Sequence, residues 1–483
     1  MYAERFIRPE RYIRWLLPFL CVLCFCCTRM NPEFPDISDT KGVDFVLHSS
    51  DATLQQLFDW ATYAASQYVG SETDPVGPWY EAASSGRNGF CARDVSHMCI
   101  GQELNGCSKE NVNMMQRFAQ NMAESRDYCS YWEINKDNGP IPDDYESDQH
   151  FWYNLNVNFD LLQACYRLYQ WTGNAIYLND PALNRFYDAT IKQYRDSWQL
   201  GVDQIMERPL ITLSSRRGIP SYDKEVDSLR VSADLIAVIY KALQSYGNMA
   251  LLKGDAVAAN DYWDQADAYA DLFHSQWWHN STQCCYAYKK GNELVEGGDN
   301  LYPLWFGLVD THPKRVNNLL THMQRGTPDK EEKSHYPMLF YRYGMNEEAY
   351  RCMKELFMDG SRDYPEISST MIEALVCGLA GVDANVTTNR IATLPRFTEE
   401  TKWVAIENIP VFSGRISVFH QSERKSQFLN KSNDEVIWRA MFPGEVTRIN
   451  GSKALPTTDV LGNTYSYLDI TCPPGKVMTA MAK

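Results

Sequence analysis

Between residues 51 and 382, apolar side chains recur three and four positions apart, the spacing that gathers them on one face of a helix. Residues 51–69 carry Leu54, Leu57, Phe58, Trp60, Ala61 and Ala64 on such a stripe, with Ser50 or Asp51 as the capping side chain. A short helix is expected from Cys91 to Leu104. Another, opened by Ser108, carries Met114, Met115, Phe118, Ala119 and Met122. Residues 157–171 form a helix that Gly173 stops, and residues 181–198 form one that Asp180 caps and Pro181 begins. The most regular stretch is 218–278. An acidic loop leads into a helix with Leu235, Ile236, Val238, Ile239, Leu243 and Tyr246 inward. The chain turns at Gly254 and Asp255, then returns through Tyr262, Ala266, Tyr269, Ala270, Leu272, Phe273 and Trp277. Further helices are predicted over 302–308, 313–323, 335–343, 347–357 and 368–382. About twelve segments in this rhythm describe a helical hairpin repeated around a pocket.

Past Thr388 the period changes to two. Runs at 403–406, 415–419, 435–442 and 446–449 are β-branched and alternating, separated by turns at Gly414, Gly444 and Gly451. This predicts a small antiparallel, sandwich-like β module over 391–483 that packs on the helical part. Between the helices, 128–160 reads as a long loop rich in acids and aromatics, the kind of segment that carries function in a compact domain.

The first residues follow a different logic. Arg5, Arg8, Arg11 and Arg14 precede a short apolar run ending in Cys24, Cys26 and Cys27. A positive region before an apolar run too short to span a bilayer is an export signal. The terminal cysteines resemble those of a bacterial lipoprotein, with Cys26 or Cys27 as the lipidated residue. The expected organisation is a leader at 1–27, a tether at 28–44, a helical catalytic domain at 45–390 and the β module at 391–483. The expected location is the periplasm or the outer-membrane or cell surface, with membrane contact only through an N-terminal lipid.

The net charge of −15 argues against nucleic acid, since phosphate binding needs a basic face. Aromatic residues make up 13% of the chain, with 13 Trp and 29 Tyr, and aromatic planes beside carboxylates and amides suit the apolar faces of sugar rings. Of the 14 cysteines, 4 lie in the leader (21, 24, 26 and 27) and the other 14 − 4 = 10 show no metal-ligand spacing, the adjacent Cys284 and Cys285 included. No zinc site and no cofactor are expected. Phosphate-binding, dinucleotide-binding and serine-elbow motifs are missing from the sequence.

Three stretches resemble the six-hairpin glycosidases. The run through Ser232, Ala233 and Asp234 to the Gly254–Asp255 turn and Trp277 looks like their middle hairpin. The run from Glu296 through Trp305 to Gly307 is similar to their next inner helix. Asp363, Tyr364, Pro365 and Glu366, leading into a helix, resemble their last loop, where an acid often serves as base. The resemblance covers about residues 45–390. It implies an (α/α)6 toroid of about six helical hairpins, and a glycoside hydrolase that acts, exo-fashion, on a glycan or oligosaccharide.

Such hydrolysis needs a carboxylic acid to protonate the leaving oxygen and a carboxylate to activate water or attack carbon. Asp223 sits where the family's acid sits, and Glu225 is its near rival; Pro220 and Tyr222 would desolvate either one and raise its pKa. The family's Gly-Trp-Asp is replaced here by Ser221, Tyr222 and Asp223. Glu366 is the candidate base, with helix capping as its other role, and Glu373 is expected to face a neighbouring helix. Arg93, Asp94 and His97 form a polar cluster suited to sugar diols, because Arg donates twice and Asp accepts twice. Trp132, Glu133, Asp148, Asp299 and Trp305 are further substrate-binding candidates, whereas His150 and His335 are assigned to structure or surface. Two other functions fit the same composition: a polysaccharide lyase on an α-toroid, with Arg93, His97, Arg216 and Arg217 meeting a uronic acid, and a surface glycan-binding protein without catalysis.

Overall fold

Twelve helices carry the architecture: α1 (Ala52–Gln67), α2 (Ala92–Leu104), α3 (Ser108–Gln120), α4 (Val157–Thr172), α5 (Pro181–Ala189), α6 (Ala233–Leu252), α7 (Ala256–Gln276), α8 (Leu301–Trp305), α9 (Pro313–Arg325), α10 (Lys330–Arg342), α11 (Asn346–Met358) and α12 (Pro365–Glu373). The computed structural model describes residues 45–483, apart from 84–85, 199–204, 209–216, 223–228, 298–300 and 360–363. The leader, the tether, Arg216, Asp223, Glu225 and Asp299 therefore lie outside the described residues.

The even-numbered helices form the inner wall. Helix α2 packs on α4, α4 on α6, α6 on α8, α8 on α10, α10 on α12, and α12 returns to α2, which closes a ring. Burial follows from this. Nearly every residue of α2 and every residue of α12 is buried, whereas α1, α9 and α11 bury only an apolar stripe, with a charged face outward on α9 and α11. The caps are local chemistry. Asp51 accepts from Thr53 N at 2.8 Å, Asp180 from Ala182 N at 2.8 Å ahead of Pro181, and Asp329 from Glu332 N at 2.9 Å. Gly173, at φ 69°, ends α4 in the left-handed region. No helix among the described residues is long and apolar enough to cross a membrane.

The β structure is larger than a small C-terminal module. One five-stranded sheet runs in the order Val46–Ser49, Val404–Val411, Gly414–Ser422, Lys425–Asn430, Val477–Met481, so its edge strand comes from before α1. A second has the order Asp383–Asn385, Arg390–Thr393, Val436–Pro443, Thr464–Cys472, Leu455–Thr458. Within it Arg390–Thr393 pairs parallel to Val436–Pro443, so the module is mixed rather than purely antiparallel, and its strands begin before residue 391. A four-stranded sheet within the helical part joins Leu229–Ser232, Trp278–His279, Cys284–Lys290 and Glu293–Glu296. One apolar core runs from the ring into the β part, from Leu54 and Phe58 to Val418 and Trp438. Trp171 donates to Pro410 O at 2.9 Å, and His420 Nε2 lies 2.9 Å from Ala380 O. All ten cysteines among the described residues are free, Cys284 and Cys285 included.

Where α2 crosses α12 the backbones nearly touch. A Cβ on Gly101 would lie 2.0 Å from Ser369 O, a backbone atom that cannot swing aside. Gln102 Nε2 donates to Ser369 Oγ at 3.0 Å beside it. Gly101→Ala is therefore expected to lower unfolding free energy by about 1–3 kcal/mol in urea titrations through overpacking; an unchanged midpoint would show that the two helices can part freely.

Candidate active site

All the inner helices point the same way, and five of them carry an acid in the first turn: Asp94 in α2, Asp160 in α4, Asp234 in α6, Glu331 in α10 and Glu366 in α12. Free N–H groups and the aligned peptide dipoles make that end of each helix electropositive. Five such ends meeting at one mouth stabilise a set of carboxylates that would otherwise repel one another.

Glu366 is at the centre. His335 Nε2 lies 2.9 Å and His97 Nδ1 3.5 Å from Glu366 Oε1. The other nitrogen of His97 is 3.6 Å from Asp160 Oδ1, and the Tyr222 hydroxyl donates to Asp160 Oδ2 at 2.6 Å. Alongside, Tyr364 donates to Asp94 at 2.8 Å, and Arg93 bridges Asp94 at 3.1 Å and Glu331 at 2.5 Å. The carboxylate oxygens of Asp94, Glu331 and Glu366 lie within 4.8 Å of one another. Aromatic rings wall the cluster. Trp305 meets His335 edge-on at 4.9 Å, and Tyr222 leans on Tyr302 at 4.3 Å. Both oxygens of Glu366, His97 Nε2 and Asp160 Oδ1 are buried without a hydrogen-bond partner among the described residues. Such atoms are costly unless a ligand or water completes them.

The cluster divides its carboxyls electrically. Burial would raise the Glu366 pKa, but His335 and His97 outweigh it and hold the group well below the usual carboxylate range. Burial would likewise lower His97, yet the Asp160 and Glu366 carboxylates hold it up to about 10. Glu331 goes the other way. Burial pushes it up, Arg93 offsets only part, and the charges on Glu366 and Asp94 add to the rise, to about 8. Asp94 is also raised, first by burial and against the pull of Arg93. Glu331 keeps 31% of its side chain exposed, whereas Glu366 keeps none.

Of the residues singled out from the sequence, Arg93, Asp94, His97, Tyr222, Trp305 and Glu366 meet in this cluster. Tyr222 is held by Asn154 and Asp234, and it is the last described residue before 223–228, the segment with Asp223 and Glu225. Glu133 sits on the strand paired to Cys91, just ahead of α2, where burial and Asp144 push it up to about 7 against Arg87, 2.8 Å away. Trp132 packs on Trp152 and Tyr153 in the adjoining loop. Asp148 belongs to a separate network with Ser125, Arg126 and Tyr145, outside the Glu366 cluster. Glu373 pairs with Arg167 on α4, the inner helix beyond α2 in the ring.

His335 is buried rather than at the surface, and its Nε2 is the nearest basic nitrogen to Glu366. It was obscured, together with Glu331, because residues 328–333 are almost wholly polar and periodicity starts the helix at 335, five residues late. The signal was present: an acid and a histidine four apart share a helical face. Asp160, an acid inside the apolar run 157–165, was a comparable clue.

The donor atoms of His97, His335 and Glu366 lie within 4.8 Å of one another, a set of two imidazoles and one carboxylate that would suit a divalent transition metal. In the structure they are engaged as ion pairs with each other.

No known family profile matches the chain, and no curated protein matches it. Solved structures do. A GH78 family rhamnosidase of Bacillus sp. GL1 superposes with a TM-score of 0.59 at 10% identity, over 81% of this chain and 41% of that one. The α-L-rhamnosidase from Dictyoglumus thermophilum gives 0.59 at 13% identity, over 91% of this chain and 50% of that one. A human-microbiome protein provisionally assigned as a kojibiose phosphorylase gives 0.54 at 8% identity, over 89% and 63%. The chain thus shares the helical-toroid fold of these carbohydrate-active proteins while spanning about half their length.

His97 is the shared counter-ion of two buried carboxylates. Its folded pKa of about 10 lies above the 6.5 of a free imidazole, so its contribution to stability is complete below pH 6.5 and is lost as pH rises through 10. His97→Gln leaves Asp160 and one side of Glu366 uncompensated. The expected cost at pH 7 is about 3–5 kcal/mol by urea denaturation, shrinking above pH 10. A loss that does not change with pH would mean that His97 is not charged.

Proposed function

We propose that the chain is a glycoside hydrolase in which Glu331 is the proton donor and Glu366 the partner carboxylate. One observation carries this: two carboxyls at the same mouth, with oxygens within 4.8 Å, whose surroundings drive their pKa values in opposite directions. A pair so divided supplies an acid and a base at one pH. Glycoside cleavage is the reaction that requires both across a single bond. The Glu331 carboxyl is protonated at neutral pH and partly exposed, so it can meet a leaving oxygen. Glu366 is fixed as an anion by two imidazoles, which suits stabilising positive charge at the anomeric carbon or activating its attacker. Asp223 and Glu225, outside the described residues, are the rival donors.

With Glu331 protonated and His97 charged, Arg93 and His97 balance Asp94, Asp160 and Glu366 to within one charge, so the mouth has no cationic excess of the kind that selects an acidic sugar. The substrate proposed is therefore a neutral sugar. Proteins of similar fold are named as α-L-rhamnosidases. Exo-action and an exported, lipid-anchored protein are part of the same proposal; they rest on the resemblance and the leader sequence alone.

Aryl and alkyl glycosides of neutral sugars test the assignment. Glu331→Gln is expected to lower kcat/KM on alkyl glycosides by about 10²–10⁴. The loss should be much smaller on p-nitrophenyl glycosides, whose leaving group needs no proton. The wild-type rate should fall as pH rises through about 8, where Glu331 deprotonates, and that limb should vanish in the variant. Glu366→Gln should abolish turnover on both substrates. Near-normal rates in both variants would sink the assignment, and saturable glycan binding without turnover in the wild type would favour a binding protein.

A further inference from the structure

A second polar layer lies beneath the first. Two helical turns down the same inner faces, seven residues on, Asp160 is succeeded by Arg167, Asp234 by Lys241, His335 by Arg342 and Glu366 by Glu373. At the helical rise this is about 10 Å deeper in the ring. These four side chains line a cavity of about 310 Å³ whose upper wall includes Trp305, the ring that packs on His335.

The cavity is cationic and incompletely satisfied. Arg167 is paired with Glu373 and Arg342 with Asp310. Lys241 has no ion pair or hydrogen bond to any described residue, although it sits at the middle of α6, away from the carbonyl end that would attract a cation. Gln163 and Gln170 on α4 line the same space. Burial and the charges of Arg342 and Arg167 push the Lys241 ammonium down to about 8, and the Asp310 carboxylate offsets only part of this. A charge-assisted bond to an oxyanion would give Lys241 the direct partner it lacks, with Arg167 and Arg342 adding their field.

We propose that this lower cavity is a binding site for a small oxyanion, held by Lys241 with Arg167, Arg342, Gln163 and Gln170, and distinct from the carboxylate mouth above it. The volume accommodates a free phosphate or one acidic monosaccharide, and both offer the same recognition chemistry. The site stands whether or not the hydrolase assignment is right, since none of the five polar residues proposed to hold the anion belongs to the upper cluster, although Trp305 borders both.

Isothermal titration of the whole protein at pH 7 with inorganic phosphate and, separately, with glucuronate tests it. The expected result is saturable 1:1 binding of at least one probe, weakened about tenfold or more by Lys241→Met and by Gln170→Glu, and unchanged in Glu366→Gln. Phosphate alone binding would point to a free oxyanion, and glucuronate alone to a sugar acid. Circular dichroism checks that the variants fold; should Lys241→Met fail, Gln170→Glu, which keeps size and adds a repelling charge, decides the matter. No saturable heat from either probe up to about 10 mM, or full affinity in every folded variant, overturns the proposal.

Discussion

The parallel direction of the inner helices is the constraint on which the molecule depends. Because each inner helix is followed by an outer one that carries the chain back, all inner N-termini open at one end and all their C-termini at the other. Five first-turn acids gather at the first end because each helix separately favours a carboxylate there. The cluster around Glu366 is thus the sum of five local preferences. Its cohesion comes from two histidines and an arginine placed between the acids.

The same helix faces carry a second layer at depth. Arg167, Lys241 and Arg342 lie two turns below the acids on their own helices. Trp305 packs on His335 of the upper layer and also lines the lower cavity. Around both layers the interior is an apolar core.

Much of the ring was legible in the sequence because its determinants are local. Asp51, Asp180 with Pro181, and Gly173 mark helix ends by chemistry that any reader of the chain can apply. The 233–252 and 256–276 hairpin follows from periodicity and one Gly-Asp turn. Arg93, Asp94, His97 and Glu366 were recognisable as polar residues at helix starts. His335 and Glu331 were not, since a charged first turn carries no apolar period and the start of α10 is set by Asp329 instead. The extent of the β structure was hidden for a different reason. Strand Val46–Ser49 has only four residues, and its partner, Val404–Val411, is more than 350 positions away; no pattern within either reveals the other.

That distant pairing also governs how the molecule can be divided. Val46–Ser49 registers with Val404–Glu407, so a strand that precedes the first helix of the ring forms the edge of the far sheet. A fragment ending at residue 390 would retain this strand with its backbone groups unmatched, and the complementary fragment would expose a new sheet edge along Val404–Val411. Open edges of that sort invite self-association. The two halves are therefore parts of one cooperative unit, sewn together by the beginning of the chain, and severing them at the compositional boundary would yield two sticky pieces instead of two working ones.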